Sequence, residues 1–301
     1  VNNDPQVAMG AAWMLDAPQL GFIRRHVRMK EGLDVPGIPA SWRRQLDDET
    51  IGVLIEEFES HCHHECLTET ETAIRLDSDN VELWRARALL AFRPRLMSLD
   101  LKPRRDDWLS VLDECATHDP GNALYDYLAA LHLWNSSADY DREEGGYILK
   151  MKDEDTFMQG DARLSAGLTR PHLKFATKGY AATLAFLEES SITRSDHVTA
   201  AESRQIEGRA TTLMYGIVRW QSVRRDIEKR KEDFDAAIVA VRKVLRISEQ
   251  VTESGNYPNL TRPKLILRQW SLANLKDMNK DHPKLLDAEE AEKVSVEFSQ
   301  V

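Results

Sequence analysis

AIRLDSDNVELWRARALLAF, residues 73–92, and CATHDPGNALYDYLAALHLW, residues 115–134, align without a gap and lie 42 residues apart. In each block an apolar helical pattern runs into an Asp-x-x-Asn turn, and a second helical pattern begins at once. Asp77 and Asn80 match Asp119 and Asn122, Ala73 matches Cys115, and Ala88 matches Ala130. The residue types explain the break. Pro120 lacks the N–H needed to extend a helix, Gly121 tolerates unusual φ, and Asn80 and Asn122 are good N-caps for the next helix. A period of helix–turn–helix units predicts helix pairs stacked in a row.

Composition agrees with helices. The 301-residue chain is 42% hydrophobic, 30% charged and 7% aromatic, with 14 Gly and 11 Pro. That leaves few of the β-branched and aromatic runs that strands need, and the expected class is all-α. A net charge of −10 argues against a nucleic-acid partner, whose phosphates call for a clustered excess of Lys and Arg. No apolar run approaches the length of a membrane span, so direct membrane insertion by this chain is not expected. The compartment is not specified. A soluble, cytoplasmic setting is the expectation, and a leader or anchor could have preceded Val1.

The two blocks resemble the tetratricopeptide-repeat family, in which a small residue near the end of one helix is followed by a turn with Pro and Asn and by a helix opening on a bulky residue. Ala73 and Cys115 occupy the small position, and Trp84 with Ala88 fits the following helix. DFDAAIVAVRKVLRI, residues 233–247, looks like the family's second helix, with Phe234, Ala237, Ile238, Val241 and Leu245 on one face. The three matches cover about a third of the chain. The spacing of 42 exceeds the family's period of about 34, with the loop 93–107 absorbing the excess. Trp108 stands where the family prefers a small residue.

The resemblance implies an irregular helical-repeat solenoid with a concave surface that binds a protein or peptide segment. On that reading Arg85, Leu89 and Phe92 from one repeat, and Tyr127, Leu131 and Trp134 from the next, face the partner. Tyr127, Leu131 and Trp134 share one side of their helix. Beside Arg85 they make the aromatic, apolar and cationic mix of interface hot spots. The alternative is that they pack against a neighbouring helix.

The remaining segments are less regular. Residues 1–46, with Pro5, Pro18, Pro36 and Pro39, read as an N-terminal arm or cap carrying a short helix over 7–15 and another around 22–29. Residues 47–134 hold the repeat-like pairs, with a helix from about 48 to 76. Residues 135–195 read as a loop-rich insertion with a polar surface loop over 135–155 and two short helices, near 156–168 and 180–189. Residues 196–301 form a long helix capped by Ser195 or Asp196, an antiparallel hairpin closed near Lys231, a loop, a final helix over 263–278 and an acidic tail from Leu285. The charge run VRRDIEKRKED, 223–233, reads as a solvated face. In the 254–265 loop, Asn256, Tyr257 and Arg262 are candidates to line a site.

ESHCHHECLT, 59–68, raises a metal site. On one helix the residues at i, i+3 and i+4 can converge, which selects Cys62, Cys66 and marginally His63, with a fourth ligand required from elsewhere. His61, His63 and His64 fan around the helix instead of sharing a face. Cys62 and Cys66 lie in the apolar stripe and read more readily as small core residues than as ligands. Three cysteines are too few for a disulfide framework. Gly-rich phosphate loops and nucleophile motifs are missing, and Ser195-Asp196-His197 is too compressed in sequence to act as a triad. No catalytic residue and no cofactor is expected. The functional readings are therefore a non-catalytic interaction or scaffold module, a metal-binding protein or metal-dependent enzyme using the His61–Cys66 cluster, or a structural part of a larger or membrane-anchored assembly.

Overall fold

The computed structural model describes residues 3–16, 64–94, 101–143, 146–176, 179–189, 196–252, 261–283 and 285–300. Among these residues it is mostly helical, with eleven helices and two short antiparallel hairpins, so the chain is of the all-α class. It divides into two compact units, Val1–Leu90 with Lys178–Ile206, and Ala91–Thr177 with Glu207–Val301.

In the first unit, helix α1 (Pro5–Leu15) starts as its sequence dictates. The Asp4 carboxylate accepts from the Gln6 N–H at 2.7 Å, and Pro5, which has no N–H to satisfy, takes the first helical position. Its buried face, Ala8, Met9, Ala12 and Trp13, packs on α7 (Gly179–Glu189). Gly10 meets the Ala182 carbonyl so closely that no Cβ fits there.

Helix α2 covers residues 64–76, and α3 spans Val81–Leu90. Cys66, Thr70 and Ala73, at intervals of four and three, are all fully buried, the stripe of one helix face. Thr70 Oγ1 donates to the Cys66 carbonyl at 2.7 Å, which satisfies its hydroxyl inside the core.

The second unit opens with hairpin β1 (Phe92–Pro94) and β2 (Leu101–Pro103), in register Phe92 to Pro103, within the span expected as a loop. Helices α4 (Trp108–His118) and α5 (Leu124–Ser137) come next. The expected 135–155 surface loop is instead largely the end of α5 and a hairpin of two six-residue strands, β3 (Ala138–Glu143) with β4 (Gly146–Met151). Its strands go unnoticed in the sequence because their outward side chains are charged. Lys150 with Asp141, and Lys152 with Asp139, pair across them. On the other side Tyr140 stacks edge-on against Trp220 at 5.1 Å and against Tyr147 at 5.7 Å. Gly146, at φ 124, closes the turn over Asp226, whose carboxylate oxygen would lie 2.7 Å from a Cβ there.

Helix α6 (Glu154–Thr169) is capped by Asp153, which accepts from Thr156 N and Oγ1 at 3.1 and 2.7 Å. It packs antiparallel along α5 by inserting aromatic rings at glycines. An ideal Cβ on Gly160 would sit 2.7 Å from the Trp134 indole, and one on Gly167 would run into the Tyr127 ring. Glycine and aromatic positions are seven residues apart on both helices, so two ring-into-gap contacts recur along one seam.

Helix α8 (Asp196–Arg230) and α9 (Phe234–Gln250) are joined at Glu232, a non-glycine at φ 61, with Asp233 as N-cap accepting from Ala236 N at 2.9 Å. The break between the two helices falls where the sequence places it, near Lys231. Helices α10 (Thr261–Asp281) and α11 (Ala288–Gln300) complete a core with α9 through Ala237, Ile238, Val241, Leu272, Leu275, Met278, Leu286 and Val294. The expected acidic tail is thus a packed helix. Asp287 accepts from Glu290 N at 2.8 Å, Arg242 and Arg268 pair with Glu290 and Glu297, and Val294 faces inward. Ion pairing converts a run that looks merely solvated into one charged face of an amphipathic helix.

The glycine seam is testable. In a helix, Gly→Ala ordinarily stabilises by about 1 kcal/mol. Gly160→Ala is expected to destabilise by about 1–3 kcal/mol through overpacking against Trp134, measured by urea unfolding. A gain in stability would show that the seam is looser than described.

Candidate functional site

The two aligned turns have the same geometry. At the first, Asn80 N donates to the Asp77 carbonyl at 3.3 Å, Asn80 Nδ2 to the Asp77 carboxylate at 3.0 Å, and Glu82 N to Asn80 Oδ1 at 3.3 Å. At the second, Asn122 N, Asn122 Nδ2 and Leu124 N make the corresponding bonds to Asp119 O, Asp119 Oδ2 and Asn122 Oδ1 at 3.0, 2.9 and 3.2 Å. The matched small residues Ala73, Cys115, Ala88 and Ala130 are all fully buried. Asn122 does more than its counterpart. It also donates to the Lys174 carbonyl and accepts from Lys174 N, at 2.9 and 3.0 Å, holding the 171–176 segment to the turn.

The six residues assigned to a partner-binding face do not present one. Arg85, at 7% exposure, bonds Glu82 at 2.6 Å, and Leu89 and Phe92 are buried. Phe92 packs edge-on against Trp108 at 5.9 Å. Tyr127, Leu131 and Trp134 are fully buried, because α6 lies along the side of α5 that carries them. The Tyr127 hydroxyl donates to the Gln250 side-chain carbonyl, and Gln250 Nε2 donates in turn to the carbonyls of Gly167 and Arg170 at 2.9 and 2.5 Å. Burial holds the Tyr127 phenol well above its usual range. Arg246 opposes the shift and Asp126 adds to it.

Of the other candidates, Asn256 and Tyr257 lie outside the described residues, as do Cys62 and His63. Arg262 falls in the first turn of α10, and Cys66 is in the core stripe of α2. Among the described residues no group of three or more His, Cys, Asp or Glu side chains is placed to hold a metal ion. No described helix is long and apolar enough to cross a membrane.

One buried ring nevertheless leads to an exposed constellation. Trp134 Nε1 donates to Asp161 Oδ1 at 2.9 Å, and the same carboxylate oxygen accepts from Arg224 Nη2. The Arg224 guanidinium lies over the Phe157 ring at 4.7 Å and the Trp134 ring at 5.6 Å. Lys243 on α9 stands close enough to feel both charges. Its ammonium is held below the usual lysine range first by burial and then by Arg224, with Asp161 pulling the other way. Helices α6 and α8 therefore bring Asp161 and Arg224 together over Trp134 and Phe157, with Arg224 25% and Asp161 26% exposed.

Sequence reasoning passed over Asp161, Arg224 and Lys243. Arg224 was submerged in the 223–233 charge run, whose first residues are in fact half-buried or buried, with Asp226 at 8% exposure. The readable signal was Gly160 and Gly167 in α6, which mark that helix as the partner of an aromatic face and place Asp161 beside it. The chain matches no protein-family model, no curated protein and no solved structure.

Tyr127 and Lys243 give stability opposite pH dependences. Tyr127 keeps its proton in the folded state above pH 10.0, where the unfolded chain loses it, so folding stability falls as pH rises through that value. Tyr127→Phe strands the Gln250 carbonyl and is expected to cost about 1–3 kcal/mol at pH 7, yet to lose less stability than wild type on alkalinisation, read from denaturation curves at stepped pH. For Lys243 the sign reverses. Between its lowered value and 10.5 the unfolded chain binds more protons, so wild type gains stability there. Lys243→Met is expected to be the more stable form at pH 7, with the gap closing as pH approaches the usual lysine value.

Proposed function

We propose that this chain is a non-catalytic interaction module whose helix pairs form an irregular, tetratricopeptide-like array and hold a protein or peptide partner. The observation that carries the reading is the repeated joint. Two turns 42 residues apart close with the same three hydrogen bonds and bury the same small positions on either side. A chain that reuses one helix-pair joint is built by repetition, and repeated helix pairs present extended surfaces for recognition.

The surface favoured for the partner lies on α6 and α9, around Arg224 and Lys243, in place of the buried face of α5. Met158, 56% exposed, stands three residues before Asp161, and Val239, 47% exposed, four residues before Lys243. Spacings of three and four put each apolar side chain on the same helix face as a member of the charged cluster. Exposed apolar groups near an arginine seated over aromatic rings match the make-up of interface hot spots, where Arg and large apolar side chains carry most of the binding energy.

A photo-crosslinking amino acid placed at position 158 or 239 in cells is expected to give one discrete covalent adduct, diminished by Lys243→Glu. The same group at Phe298 on α11 is the control. Absence of an adduct at both α6 and α9 positions, with the fold intact by circular dichroism, would refute this placement.

A further inference from the structure

We propose that the first joint, Asp77–Asn80 with the start of α3, is a docking site for an extended backbone segment of a partner peptide. The second joint holds such a segment from its own chain. There Ala123 N donates to the His172 carbonyl at 2.9 Å, Asn122 Nδ2 donates to the Lys174 carbonyl at 2.9 Å, and Asn122 Oδ1 accepts from Lys174 N at 3.0 Å. Leu173 and Phe175, on either side of Lys174, are buried, and Asn122 is only 1% exposed. A side-chain amide has two N–H donors and two acceptor lone pairs. Asn122 uses one of each within its turn, on Asp119 and Leu124, and the other of each on Lys174.

Among the described residues Asn80 makes only the first set. Its Nδ2 donates to Asp77 and its Oδ1 accepts from Glu82 N, which leaves one N–H and one lone pair unused on a half-buried side chain. The backbone N–H of Val81, at the place of Ala123, has no hydrogen-bond partner among the described residues. The three groups that hold the 172–174 backbone therefore recur at the first joint with nothing bound to them. Leu76, immediately before the turn, is 39% exposed and offers apolar surface to a side chain flanking the docked residue. Recognition is of main chain: one ligand residue gives its N–H and carbonyl to Asn80, and the residue two before it gives a carbonyl to Val81. Apolar side chains on either side of the docked residue, as Leu173 and Phe175 are at the second joint, define the class of peptide. The inference goes beyond the surface on α6 and α9 and depends only on the equivalence of the two joints.

The test titrates the full chain with a capped peptide of sequence PHLKFA, that of residues 171–176, and follows backbone and side-chain amides by NMR. The Asn80 side-chain amide and the Val81 amide are expected to shift saturably. The same peptide N-methylated at its lysine lacks the N–H offered to Asn80 Oδ1 and is expected to bind about fivefold more weakly. Asn80→Ser keeps a good N-cap oxygen, and with it the start of α3, but loses the amide donor, and is also expected to weaken the peptide about fivefold. No shift at Asn80 and Val81 overturns the proposal, as does equal affinity for the N-methylated peptide or unchanged affinity in Asn80→Ser with its fold intact by circular dichroism. A response confined to the second joint means exchange with the chain's own segment and overturns it too. Each of these results is independent of crosslinking at positions 158 and 239.

Discussion

The close approach of α5 and α6 governs the second unit. Two rings seven residues apart, Tyr127 and Trp134, enter the spaces left by Gly167 and Gly160, and neither would fit beside a methyl group. Seating Trp134 aims its N–H at Asp161. Asp161 then holds Arg224, Arg224 lies over Phe157, and the ammonium of Lys243 is left beside it. A contact of pure shape at the seam thereby sets the electrostatics of a surface two helices away. Its strength comes from area, since each indole or phenol buries a large apolar face. Its directionality comes from one indole hydrogen bond.

How much of this could be read from residues alone depends on range. The turns at Asp77–Asn80 and Asp119–Asn122 were legible because the groups that shape them lie within a few positions: the cap oxygen, the carboxylate three residues back and, in the second, Pro120 and Gly121. Helix α9 was legible through its clean stripe. Which way Tyr127, Leu131 and Trp134 face was not. A stripe on a helix states that one side is apolar without stating what covers it, and the resemblance to a repeat with an open groove supplied the wrong cover. Gly160 and Gly167 held the correction, but their meaning exists only against rings in another helix. The β3–β4 hairpin failed for a different reason. Its outward positions carry paired charges, and its inward tyrosines find their partners, Trp220 and Arg219, on α8.

The repeated joint also shows how a local motif acquires a tertiary role. Both asparagines cap the next helix, and only Asn122 captures a remote stretch of backbone, with Lys174 bonded through both its N–H and its carbonyl. The neighbouring Leu173 N–H donates to the Gln250 carbonyl at 2.7 Å, so the 171–176 segment links the turn to the end of α9. Gln250 meanwhile satisfies Tyr127 and the last carbonyls of α6. These buried polar groups form a closed network around an irregular segment, which is the condition under which such a segment can be buried at all.

Lys243 lies outside that network, and burial weighs against its charge. Several charges elsewhere in the second unit are paired: Asp126 with Arg170 at 3.1 Å, Asp113 with Arg163 at 2.7 Å, Asp226 with Arg225 at 2.6 Å. An apolar residue of similar length at position 243 would avoid both desolvation and the repulsion from Arg224, and replacement of buried charge by packed apolar groups is commonly neutral or stabilising. Keeping a lysine there therefore costs stability that an apolar side chain would not.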